Sequence, residues 1–148
     1  MKENIEHIKE ATIDNICRCY PKANRKVIEF ICNFNWHGKN SSDEVEIIRK
    51  QFRAGYCFYF ANILKIAFGR GEVCWCAPYG HICWVDDDGF PYDIEGVCDS
   101  DCDYFIPVSY MGDTILDFMH IPNKVFNASE DDIKRIIDAY KRDIVNNK

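Results

Sequence analysis

The apolar residues of this chain change period part-way along, and that change constrains the fold more than any single motif. Up to residue 68 they recur every three or four positions, as on a helix face. Ile5, Ile8, Thr12 and Ile16 form one such stripe, closed by Pro21, and Val27, Phe30, Ile31 and Phe34 form a second. Ser41-x-x-Glu44 is a capping box that opens a third helix, with Val45, Ile48 and Phe52 inward. A fourth helix is expected from about Cys57, carrying Phe60, Ile63, Leu64, Ala67 and Phe68, and stopped by Gly69 and Gly71. Beyond it the runs EVCWCA, HICWVD and FPYDI are short, rich in β-branched and aromatic residues, and punctuated by Pro78, Gly80 and Gly89. Helices first and an antiparallel sheet second is the α+β class. The segment 95–112 reads as irregular, 113–119 as a short helix, and the chain closes on a helix capped by Ser129 with Ile133, Ile136, Ile137, Tyr140 and Ile144 inward. A chain of 148 residues without repeats, low-complexity stretches or a long linker is expected to form one domain, 1–148.

Charge narrows the partners. The 24 acidic residues outnumber the 18 basic ones for a net charge of -6, and no long basic run exists, so nucleic acid is not an expected partner. No stretch of about 18 apolar residues is present, so no membrane span is expected. The opening MKENIEHIKEATID lacks an apolar signal core, which points to a cytoplasmic location.

Nine cysteines are many for such a chain, but the number is odd and the context is reducing, so a disulfide framework is disfavoured. No Cys-x2-Cys pair occurs; there are two Cys-x-Cys pairs, Cys17/Cys19 and Cys74/Cys76, and the second would point both side chains to one face of a strand. Most of the cysteines read as small buried apolar residues. A zinc-stabilised binding domain using Cys74, Cys76, Cys98 or Cys102 is the alternative. Asp99-x-Asp101-x-Asp103 has the opening spacing of a calcium loop, but Tyr104 and Tyr110 stand where that loop needs Gly and Glu, so it reads as a polar surface loop. No metal and no cofactor is expected.

The window from Gln51 to Gly96 concentrates the chemistry. Cys57 sits where a glycine-containing loop enters an apolar helix, and unpaired N–H groups with the helix dipole stabilise a thiolate there. A cysteine in that place is either a nucleophile or one more small core residue. His81 opens the second strand and is placed to act as acid and base toward Cys57. Asp93 on the next strand can hold the imidazole in its tautomer. The hairpin supplies a geometric condition. With a three-residue loop Asp87-Asp88-Gly89, Asp86 faces Phe90, Asp93 faces Cys83, and Asp93 is a same-face diagonal neighbour of His81. A two-residue loop would put His81 and Asp93 on opposite faces. In the three-residue register Glu95 faces His81 directly and competes with Asp93 for the role, while Ile82 and Trp84 share the opposite face and pack on the helices.

Gln51-x5-Cys57, with Gly55 two residues before the cysteine and Phe58 after it, resembles the papain-type cysteine protease signature. RAGYC resembles the Arg-Gly-Gly-Tyr-Cys motif of arylamine N-acetyltransferases, and GHICWV…YDIEG resembles the His and Asp strands of transglutaminase-like proteins. The resemblance covers about 45 of the 148 residues. It implies a Cys-bearing helix packed on an antiparallel sheet carrying His and Asp, with Gln51 and the Cys57 amide as oxyanion donors. It departs from those families in three places: only 24 residues separate Cys57 from His81, Asp93 stands where papain has Asn, and Ala54 replaces the first glycine of the acetyltransferase pair. The implied activity is a thiol hydrolase that cleaves a peptide or isopeptide amide through an acyl-enzyme on Cys57. Acyl transfer with the same triad is the enzymatic alternative. A catalytically inactive protein-interaction module of the same fold is the non-enzymatic one.

Overall fold

The computed structural model describes residues 4–53, 55–77, 81–99 and 104–110. Within them four helices precede a five-stranded antiparallel sheet. The helices are α1 (Ile5–Cys19), α2 (Arg25–Trp36), α3 (Ser42–Arg53) and α4 (Cys57–Phe68). The strands are β1 (Glu72–Ala77), β2 (Ile82–Val85), β3 (Pro91–Asp93), β4 (Gly96–Val97) and β5 (Tyr104–Pro107), followed by a 3-10 turn, Val108–Tyr110. The sheet order is β4-β3-β2-β1-β5. The class is therefore α+β. None of the helices described is long and apolar enough to cross a membrane.

Local chemistry sets the helix ends. The Asn4 and Asn24 side chains accept from the His7 and Lys26 amides and cap α1 and α2. At α3 the Ser41 hydroxyl accepts from Glu44 N, but the Glu44 carboxylate reaches back one residue further than the usual box, to Asn40 N. Gly69, in the left-handed conformation, ends α4 and donates to Lys65 O at 2.8 Å.

Two readings of the helical half need correction. The most deeply buried residue of α1 is Ile13, one position beyond the expected Thr12. On α2 the fully buried face is Val27, Ile28, Ile31 and Cys32, while Phe30 and Phe34 are only half-buried. That helix packs on α1, α3 and β4 together, so it is covered on more sides than a single stripe provides for. The segment 95–112 is also more regular than expected, because it supplies β4 and β5. Its Gly96 and Pro107 read locally as breakers, but Gly96 opens β4 in a tight hairpin with β3, and Pro107 ends β5 through long-range pairing with β1. The expected helices at 113–119 and after Ser129 lie outside the described residues, as do Asp101, Cys102 and Asp103.

α4 lies on β1, β2 and β3. Its Phe60, Ile63 and Leu64 meet Val73, Ile82, Trp84, Tyr92 and Ile94 in one buried cluster. Phe68 stacks on Trp84 with ring centroids 5.5 Å apart. Strand alternation then sends Cys74, Cys76, Cys83 and Asp93 to the other face of the sheet.

Candidate active site

The β2–β3 hairpin has the three-residue loop. Trp84 pairs with Tyr92 and Val85 with Pro91, and Asp86 N donates to Phe90 O at 2.9 Å. Gly89 takes the positive φ of 82° that closes such a loop. The Asp86 carboxylate accepts from Asp88 N and Phe90 N and so fastens the turn from inside.

This register brings His81 and Asp93 together. His81 Nε2 lies 3.0 Å from Asp93 Oδ2, with side chains 18% and 12% exposed. The other Asp93 oxygen accepts from Glu95 N at 2.8 Å, which locks the carboxylate toward the ring. Glu95, the competing third member, turns away: its carboxylate binds Arg53 at the end of α3, with Arg53 Nε at 2.9 Å. The contest between the two acids is decided by the end of β3 at Asp93: residues 94–95 turn the chain into β4, so Glu95 leaves the strand and meets Arg53 instead.

Cys57 is the first residue of α4 and is 3% exposed. Tyr56, its N-cap, contributes no side-chain cap, so the positive end of the helix dipole falls at the thiol. The Cys98 thiol lies within 4.8 Å of His81 and Asp93, and Cys57 and Cys98 both favour the charged form of the imidazole. Because Nε2 is committed to Asp93, Nδ1 is the ring atom left for a thiol. Burial works against a charged His81, but hydrogen bonding to Asp93, then to Cys57 and Cys98, outweighs it and holds its pKa up at about 12. Burial also raises Asp93, against the opposing pull of its bond to His81. The charged form gains at His81 and the neutral form at Asp93, and the hydrogen bond survives whichever of the two carries the proton.

Gln51 is exposed on the last turn of α3, and its carbonyl accepts from Tyr56 N at 3.2 Å. With Phe52, Tyr56 and Tyr59 it lines an open cleft of about 330 Å³ beside the residue that precedes Cys57. The expected four residues are therefore distributed as a part-buried His81–Asp93 pair, a buried Cys57 at the start of α4, and a Gln51 on the rim of an aromatic cleft.

The sequence reading missed the trio behind the pair. Cys76, Cys83 and Cys98 bring their Sγ atoms together, and Cys83 rather than Cys74 is the third member. Hydrogen bonds from Cys76 and Cys83 pull the Cys98 pKa down despite its burial, with His81 adding to them. Burial pushes both Cys32 and Cys74 up to about 11. The signal for the trio lay in the period-2 placement of Cys74, Cys76, His81 and Cys83, which becomes one face once β1 and β2 are paired. All eight described cysteines carry free thiols. Comparison with protein-family models, with curated proteins and with solved structures found no match to this chain.

Proposed function

We propose that the chain is a small papain-like or transglutaminase-like thiol hydrolase acting on a peptide or isopeptide amide. The observation that carries the reading is the His81 imidazole, held on Asp93 at 3.0 Å by one nitrogen, with its charged form favoured by the Cys57 thiol at a helix N-terminus. His81 takes the Cys57 proton, and the thiolate sulfur attacks the carbonyl carbon. The oxygen becomes an oxyanion that the Cys57 N–H and the Gln51 side-chain amide receive. The C–N bond breaks as His81 returns the proton to the departing amine, leaving a thioester on Cys57. A water, deprotonated by His81, attacks that thioester and releases the acid and the thiol. Asp93 keeps the ring oriented through both steps. The aromatic cleft beside Tyr56 is the place for a substrate side chain. If an amine replaces water in the second half, the same groups perform acyl transfer.

The 3% exposure of Cys57 favours a second reading, an inactive interaction module in which Cys57 is a core residue. Alkylation separates the two. Purified protein is treated with iodoacetamide at neutral pH, and each cysteine is followed by peptide mass spectrometry, in wild type and in His81→Ala. The hydrolase reading expects Cys57 to outpace exposed Cys19 and to slow by about 10-fold or more without His81. A protected Cys57, or one indifferent to His81, establishes the module instead.

A further inference from the structure

Three buried thiols that the Cys57 chemistry does not use converge on the face of the sheet away from α4. Cys76 lies on β1, Cys83 on β2 and Cys98 directly after β4, and their Sγ atoms all lie within 4.8 Å of one another. Strands β2 and β3 stand between β1 and β4. In a flat sheet β1 and β4 would be three strand spacings apart, roughly 14 Å. Yet the Cys76 and Cys98 Sγ atoms are 3.8 Å apart, so the sheet curls over this face to bring them together. That separation is far beyond an S–S bond of about 2.05 Å. It equals the edge, about 3.8 Å, of a tetrahedron whose arms are Zn–S bonds of about 2.3 Å.

We propose that Cys76, Cys83 and Cys98 form a three-thiolate site for a zinc ion. Sulfur donors select a soft or borderline cation, because calcium and magnesium demand oxygen. Zinc has no redox chemistry and accepts the tetrahedral arrangement that the three sulfurs outline. Binding exchanges three S–H bonds for three S–Zn bonds and releases the protons to solvent, with no electron transferred. His81 groups with Cys98 and Asp93, not with Cys76 and Cys83, and its Nε2 is held by Asp93, so among the described residues no fourth ligand completes the tetrahedron. The ion clamps the strands that carry His81 and Asp93 into their curled arrangement. The site uses neither Cys57 nor Gln51, but Cys98 also lies within 4.8 Å of His81 and Asp93, so the ion borders the proposed catalytic pair.

The test is a cobalt(II) titration of the full-length chain, purified reduced and metal-free, followed by displacement with zinc. Expected are saturation at one equivalent, a strong sulfur-to-cobalt charge-transfer band, the visible bands of a tetrahedral ion, and loss of all of them on adding one equivalent of zinc. Cys83→Ser and Cys98→Ser lose the tight one-equivalent endpoint, whereas Cys74→Ser and Cys57→Ser keep it. Far-ultraviolet circular dichroism of each metal-free variant identifies any that has failed to fold, and the wild-type titration decides the matter without them. No charge-transfer band in the wild type overturns the proposal. So does a full band in folded Cys83→Ser, its loss in folded Cys74→Ser, or binding of copper(I) but not zinc. Because the cobalt titration reads Cys76, Cys83 and Cys98 while the alkylation assay reads Cys57, failure of the metal site and failure of the hydrolase reading are distinguishable.

Discussion

Replacing Tyr92 with Phe removes one oxygen from the interior and leaves the ring in place. Tyr92 is 0% exposed, and its hydroxyl joins the hairpin to the start of α2, 68 residues earlier in the chain: it accepts from Asn24 N at 2.8 Å and donates to Asp86 Oδ2 at 3.0 Å. Asn24 is the N-cap of α2, and Asp86 closes the β2–β3 turn. Burial raises the Tyr92 pKa first and foremost, so the hydroxyl stays protonated and remains a donor to the carboxylate. A bond to a charged group contributes about 1.5–3 kcal/mol and a neutral one about 1. Both partners are only half-buried, so water repairs part of the loss. The expected destabilisation of Tyr92→Phe is therefore about 2 kcal/mol. In a domain of this size that lowers Tm by about 4–8 °C. Urea unfolding followed by tryptophan fluorescence measures it, and a cycle with Asp86→Asn isolates the carboxylate's share. The midpoint should fall with an unchanged m-value, and the coupling should be about 1 kcal/mol. A loss below about 0.5 kcal/mol, or no coupling to Asp86, would refute the claim that this hydroxyl ties the hairpin to the helical layer.

Gly71→Ala should destabilise by about 3 kcal/mol or more, because the residue has a φ of 79° and an added Cβ would lie 2.5 Å from Val85 O and 2.6 Å from Trp84 Nε1. Urea unfolding that shows a loss under about 1 kcal/mol would mean the 70–72 turn can move aside. Asn24→Ala should cost about 1 kcal/mol through the lost bond to Lys26 N, read as a lowered denaturation midpoint. Asp93→Asn should slow Cys57 alkylation by about 10-fold, while Glu95→Gln leaves it within about twofold. Equal effects of the two substitutions would contradict the assignment of Asp93 as the orienting residue.

What could be read from the sequence was whatever short-range chemistry determines. The capping box at Ser41, the glycine stop at Gly69 and the Asp87-Asp88-Gly89 loop each follow from residues within a few positions of one another, and each is present. The loop length then carried the alignment of His81 with Asp93, since a three-residue loop and strict alternation fix which side chains share a face. The features that stayed hidden depend on distant partners. Glu95 faces His81 only if β3 runs past Asp93; the chain instead turns at 94–95 into β4, and Arg53, 42 residues earlier, binds the carboxylate. β4 and β5 contain too few residues to announce themselves, and they exist because β3 and β1 offer edges. The cysteine trio needs the curl of the whole sheet, a property that no window of sequence contains.

The same hairpin sets both groups of reactive side chains, and its register is held by residues that take no part in either. Trp84 and Tyr92 face α4, fully buried, while Cys83 and Asp93 ride on the opposite face of the same two strands. A slip of one residue would exchange those faces. An aromatic side chain buries about 150–250 Å², worth roughly 4–6 kcal/mol each at about 25 cal/mol per Å². The His81–Asp93 hydrogen bond contributes about 1.5–3 kcal/mol at most. The apolar pair therefore dictates the register and the polar pair follows it. That ordering explains how a histidine and an aspartate, two residues that oppose burial, stay part-buried beside a thiol. It also predicts that Asp93→Asn slows Cys57 alkylation while leaving the fold intact.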